Sequence, residues 1–125
     1  MPVNLKVINT KDFIKTTVTG TLDFVASKQA ILDILSLIKQ SGEYDVLVDT
    51  REAESLLSTM NLYELGEALA SHPILRRSRI CLLVPMSSID KAGFFETVAV
   101  NRGVQIRAFT DFEQAIAWLV IRNAL

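Results

Sequence analysis

The chain has 125 residues, half of them hydrophobic and 22% charged, with a net charge of −1 and one cysteine; its pI is about 5.8 and its mean hydropathy +0.31. That length fits one domain, 1–125, around one core. The charge balance excludes a general nucleic-acid binder, which needs a basic face, and the lone Cys81 excludes an internal disulfide.

In chain order, Val3 to Ile8 alternates and is closed by the turn-rich tetrad Asn9-Thr10-Lys11-Asp12; Phe13 to Thr19 is β-branched, and Gly20 ends it. The two read as an antiparallel hairpin. A helix follows over Phe24 to Gln40, with Ile31, Ile34, Leu35 and Ile38 in an inward stripe, Asp23 as cap and Gly42 as left-handed stop. Leu32 and Leu37 fall off that stripe; they read as a wide core face or as a contact with another subunit. Tyr44 to Asp49 carries three consecutive apolar residues, as a strand buried on both faces does, and Thr50 to Leu57 reads as a polar loop.

The next helix is expected from Asn61 to Ser71, with Leu62, Leu65 and Leu69 inward, Asn61 and Glu64 in capping-box spacing, and Pro73 as terminator. Gly66 lies in its middle, where a close contact with a neighbouring element or with a ligand would explain a residue that weakens a helix by ~1 kcal/mol relative to Ala. Ile80 to Val84 is the most apolar strand, closed by Pro85. Ser87 and Asp90 have capping-box spacing at the start of a helix that runs to Asn101, with Phe95, Val98 and Ala99 inward and Gly103 as stop. Val104 to Phe109 is the last strand, and Thr110 with Glu113 opens the last helix. The order is β β α β α β α β α; strands separated by helices are parallel with right-handed crossovers.

The carboxylate Asp49 at a strand end, followed by Ser58 and Thr59 at a helix mouth, marks the edge where open α/β sheets place their sites. The loops after Asp49, Pro85 and Phe109 are expected to converge there, bringing Ser58, Thr59, Ser87 and Ser88 together as anion-binding or phosphorylation candidates. Against this stands ordinary capping and loop solvation. Asp49, Glu52 and Glu54 as a hard-cation site compete with plain solvation, so no metal and no cofactor is expected. His72, the only histidine, has no nucleophile near it in sequence. Arg76, Arg77 and Arg79 read as a solvated strand entrance or a contact for an acidic partner, and Phe94 as core or as a pocket or subunit contact. Cys81 reads as a buried hydrophobe. Glycine-rich phosphate loops, zinc-helix and nucleophile-elbow motifs are missing from the sequence, which argues against a familiar enzyme. Lys6, Lys11 and Asp12 interrupt the N-terminal stretch, and the longest apolar run, Ala115 to Ile121, falls far short of the ~20 residues of a membrane span. A cytoplasmic protein is expected. The apolar surplus needs either a self-association surface, hence a homodimer, or an internal pocket.

Two stretches, VLVDTREAESLLSTMNLYEL and DKAGFFETVAVNRGVQIRAFTDFEQAIAWL, carry a resemblance to the SpoIIAA-like proteins, a bacterial group related to STAS and CRAL-TRIO lipid-binding domains. The resemblance covers essentially the whole chain. It implies an α/β fold of SpoIIAA-like type, a mixed five-stranded sheet with an N-terminal hairpin followed by βα units. It implies a non-enzymatic regulatory role through protein partners or, as the alternative, a carrier or sensor of a small apolar or anionic-headed ligand such as a lipid. STAS regulators place a phosphorylated serine after the strand-end Asp, and matching that Asp to Asp49 brings Ser58 to the serine position. Leu57 and Met60 stand where those regulators have Asp and Gly.

Overall fold

The computed structural model describes residues 4–9, 13–42 and 44–121. The strands are β1 (Asn4–Asn9), β2 (Ile14–Leu22), β3 (Asp45–Ser55), β4 (Arg79–Leu83) and β5 (Gln105–Phe109), and the sheet order is β1-β2-β3-β4-β5. Strands β2 to β5 are parallel, a four-strand set, and β1 pairs antiparallel with β2, from Asn4 opposite Thr19 to Asn9 opposite Ile14. The turn between them, expected at Asn9 to Asp12, lies outside the described residues from Thr10 onward.

The helices are α1 (Phe24–Ser41), α2 (Thr59–Ala70), α3 (Pro73–Arg77), α4 (Ile89–Asn101) and α5 (Phe112–Ile121). Each right-handed crossover steps one strand in the same direction, so α1, α2 and α4 fall on one face. There Val46, Val48 and Ile80 of the sheet pack against Ile34, Ile38, Leu69 and Ala99. On the other face α5 covers Leu47, Cys81 and Leu83 with Ala115 and Leu119. Alternating side chains of β3 and β4 thus feed two cores, which is why both strands read as unbroken apolar runs.

Several local expectations hold. Asp23 Oδ1 accepts from the Ala26 N–H at 2.8 Å, and Gly42 closes α1 at φ 73°. Others are corrected. The polar run after Asp49 is strand, not loop: β3 continues to Ser55 alongside β2. Thr17 lies opposite Asp49 but Thr19 opposite Glu52, so β3 carries one extra residue, a bulge, in the Thr50–Arg51 region. The bulge inverts the alternation, so that Val48 and Thr50, then Ala53 and Ser55, share the α1/α2/α4 face. Helix α2 begins two residues early because the capping box is Ser58 with Asn61, not Asn61 with Glu64. Pro73 does not end α2; it opens α3 at N1, where its missing N–H costs nothing. Ser87 and Asp90 form no box: a 3-10 turn, Met86–Ser88, precedes α4, and Ser88 makes no side-chain cap. At α5 the cap is Asp111, whose Oδ2 accepts from the Gln114 N–H at 3.1 Å, instead of Thr110. Leu37 turns out to pack against the core, whereas Leu32 is 47% exposed.

Candidate functional site

The carboxyl ends of β3 and β4 and the N-termini of α2 and α4 form one edge of the molecule. Ser58 stands there as N-cap of α2: its Oγ accepts from the Asn61 N–H at 3.1 Å, and the Ser58 N–H donates to Asn61 Oδ1 at 3.0 Å. Both orphan donors are satisfied reciprocally, so the exposed Ser58 has a structural duty besides any other. Thr59, the first residue of α2, is exposed.

Ser87 and Ser88 line an open polar depression of about 410 Å³ with Arg51, Glu54, Ser55 and Lys91. Ser58 and Thr59 are not among its walls. The link between the two groups is Lys91, in the first turn of α4, whose Nζ donates to the Leu57 carbonyl at 3.0 Å, one residue before Ser58. Four hydroxyls in one cluster were expected; the structure puts two in the depression and two beside it.

Asp49 stands apart from all four. It is buried within β3, not at its end, and is gripped by Arg51: the backbone N–H and Nε of Arg51 donate to Oδ1 at 3.1 Å each, and Nη2 to Oδ2 at 2.9 Å. Burial pushes the carboxyl up, but the Arg51 hydrogen bonds and charge, with Lys15, outweigh it and hold Asp49 below the ordinary carboxylate range. The Arg51 guanidinium, raised by the same hydrogen bond, lies 6.0 Å from the ring centroid of Phe112 on α5. Asp49 therefore ties β3 locally, and the amide it accepts belongs to Arg51, not to the serine loop.

Behind the edge, between the sheet and α1, α2 and α4, lies a cavity of about 160 Å³. Its walls are almost wholly apolar, including Val48, Leu62, Leu65, Ala92 and Phe95. Ala53, Ser55, Pro85, Ser88 and Lys91 line both this cavity and the polar depression, so they form the threshold between them. Thr50 Oγ1, also in the wall, donates to the Leu83 carbonyl at 2.9 Å. Ser27 is also in the wall; its Oγ is fully buried and makes no hydrogen bond among the described residues. The apolar surplus pointed to such a space, but its position and Lys91 were missed. The available signal was a cation in the first turn of a helix, where the dipole disfavours it.

The remaining candidates disperse. Arg79 stacks on Trp118, 4.1 Å from the ring centroid, and Arg77 lies 5.8 Å from that of Tyr44; with Arg76 exposed, the three form no common patch. His72 is the N-cap of α3 and makes no side-chain cap. Phe94 is 38% exposed and stands outside both cavities, while Phe95 packs inward. Among the described residues, no group of three or more His, Cys, Asp or Glu is arranged to hold a metal, and no helix is long and apolar enough to cross a membrane.

Compared with protein-family profiles and with curated proteins, the chain matches none. Solved structures do match. An anti-sigma factor antagonist from Mycobacterium paratuberculosis superposes with TM-score 0.66 at 11% identity, over 94% of this chain and 93% of that one. A protein of the DUF3478 family with a SpoIIAA-like fold, from Shewanella loihica, gives 0.58 at 16% identity, again over 94% and 93%. The Bacillus cell fate determinant SpoIIAA in its phosphorylated form gives 0.52 at 19% identity, over 93% and 97%. With this strand order and these neighbours, the chain has the SpoIIAA-like fold of the anti-sigma factor antagonists.

Proposed function

We propose that the chain is a non-enzymatic, cytoplasmic regulator, one domain over 1–125, that acts by docking a protein partner on the edge around Ser58, Thr59, Ser87 and Ser88. The observation that carries this is the apolar surface there: Leu56 is 60% exposed, Met60 63% and Met86 70%, all on the segments that flank those serines. Exposed apolar side chains gathered about polar groups have the composition of an interface and are costly to leave in water. The similar structures include an antagonist of an anti-sigma factor, a protein that by its name works on another protein. Ser58 is the phosphorylation candidate. It is exposed at a helix N-terminus, where an added phosphate gains from the dipole. Val25 and Leu32, 75% and 47% exposed on α1, support a homodimer through a separate surface.

The test is affinity capture from the source cells with the wild-type chain, Met60→Asp and Met86→Asp, and Gln114→Ala on α5 as control. A protein recovered by wild type and control but lost with both Asp variants is the expected result. Recovery that is indifferent to Met60 and Met86 refutes docking at this edge.

A second reading, a carrier or sensor of a small ligand, is favoured by the cavity of about 160 Å³ with Lys91 at its threshold.

A further inference from the structure

An apolar cavity that opens past a lysine asks for a molecule with two ends. Its volume sets the size of one end. A cavity of about 150 Å³ lined by Leu, Ile and Phe holds benzene, and this one is about 160 Å³. It therefore suits an apolar body of about six to eight carbons, far short of a full-length acyl chain.

The threshold sets the other end. Lys91 makes no ion pair with any described residue, and its one bond, to the Leu57 carbonyl, leaves two of the three ammonium donors unused. It stands in the first turn of the 13-residue α4, where the helix amides add to its positive potential and the exposed Asp90 of the same turn opposes it. Ser88 lines the same threshold without capping the helix. Arg51 lines the depression outside, already paired with Asp49, and Glu54 is the one carboxylate there.

We propose that this cavity binds a small amphiphilic carboxylate, with an apolar body of about six to eight carbons held between α2, α4 and the sheet and its carboxylate on Lys91 and Ser88. This rests on the ligand reading and narrows it from a lipid to a short acid. The sheet and three helices wall the space, and about 160 Å³ does not hold a longer chain. A neutral analogue loses the charge-assisted bond that the ammonium supplies.

The test titrates the full chain with octanoate, octan-1-ol and palmitate, followed by methyl chemical shifts. Octanoate is expected to shift the methyls of Val48, Leu62 and Leu65 saturably while leaving those of Leu47, Leu83 and Leu119, on the α5 face, unmoved. Octan-1-ol should bind about tenfold more weakly, the difference of one hydrogen bond to a charged group. Lys91→Met should weaken octanoate about tenfold and leave octan-1-ol unchanged, whereas Lys91→Arg should retain octanoate. That pattern is one a merely structural lysine would not give. Equal affinity for octanoate and octan-1-ol, or octanoate binding indifferent to Lys91→Met, overturns the proposal. Palmitate binding more tightly than octanoate overturns the size argument while the ligand reading survives. If none of the three shifts the cavity methyls, the ligand reading falls with it.

Discussion

Gly66 is where α2 and α4 touch, and replacing it tests the packing that holds the cavity open. A Cβ added there would lie 2.6 Å from Val98 Cγ1, 3.1 Å from Val98 Cβ and 3.5 Å from the Ala99 nitrogen. Carbon atoms rest about 3.5–4.0 Å apart, so the first contact is roughly an ångström short. Val98 is buried, and a β-branched side chain in a helix is confined largely to one χ1 rotamer. The contact with its Cβ does not depend on χ1 at all. Relief must come from separating the two helices, an overpacking cost of about 1–3 kcal/mol. Set against the ~1 kcal/mol that Ala gains over Gly in a helix interior, Gly66→Ala should destabilise by about 1 kcal/mol. Gly93 in α4 is the internal control, since a Cβ there meets nothing within 4 Å. Gly93→Ala should therefore stabilise by about 0.5–1 kcal/mol. Urea unfolding with unchanged m-values reads both. Val98→Ala in the Gly66→Ala background should cost less than in the wild type, a coupling visible in a double-mutant cycle. If Gly66→Ala stabilises as Gly93→Ala does, the helices are not in the contact described.

Ser58→Ala should cost about 1 kcal/mol in chemical unfolding through the lost capping box. Partner recovery must then be compared at equal folded fraction; recovery unchanged by Ser58→Ala removes Ser58 from the interface. The Cys81 thiol, 0% exposed and pushed up to about 12 by burial against a smaller opposing effect of Arg79, should resist thiol reagents in the native protein and react after denaturation. Because its folded value is raised, its contribution to stability is intact below the unfolded thiol value of about 8.5 and declines as pH rises from there, which a denaturation series at alkaline pH will show or refute. Asp49 has a depressed folded value, so its contribution is present above the ordinary carboxylate range and is lost as pH falls through the folded value. Asp49→Asn should flatten that acid limb of the stability curve; an unchanged limb assigns it to other carboxylates. Light scattering at micromolar concentration should give twice the chain mass, and Leu32→Asp should return it to the monomer; a wild-type monomer mass removes the dimer.

The strands and long helices were legible because their signals are periodic and strong: the Ile31, Ile34, Leu35, Ile38 stripe, the apolar run at Ile80 to Val84, the glycines at 42 and 103. What misled was local chemistry with more than one solution. Ser58, Asn61 and Glu64 offer two overlapping capping frames, and the chain takes the earlier one. Thr110 and Asp111 compete for the same cap, and the carboxylate wins. Thr50 to Ser55 looked like a loop because its charges follow no strand period; the bulge shifts the phase halfway along, and only the pairing with β2 reveals it. The edge that gathers Ser87, Ser88 and the approach to Ser58 follows from parallel topology alone. The cavity and Lys91 do not, because an enclosed volume depends on helix separations that no spacing rule encodes.

The extra residue in β3 makes chain length there a matter of parity. Before it, even-numbered positions face the cavity; after it, odd-numbered ones do, which is how Ala53 and Ser55 line the wall while Glu52 and Glu54 stay exposed. Deleting one residue from the Thr50–Arg51 region removes the bulge and leaves Glu52 opposite Thr19, so the glutamates stay outside and the small residues stay on the wall. Deleting both residues shifts the phase by one and turns the two glutamates to the apolar side. Loss of one residue at this place should thus be tolerated and loss of two rejected, a rule that a simple deletion series measured by protein yield would expose.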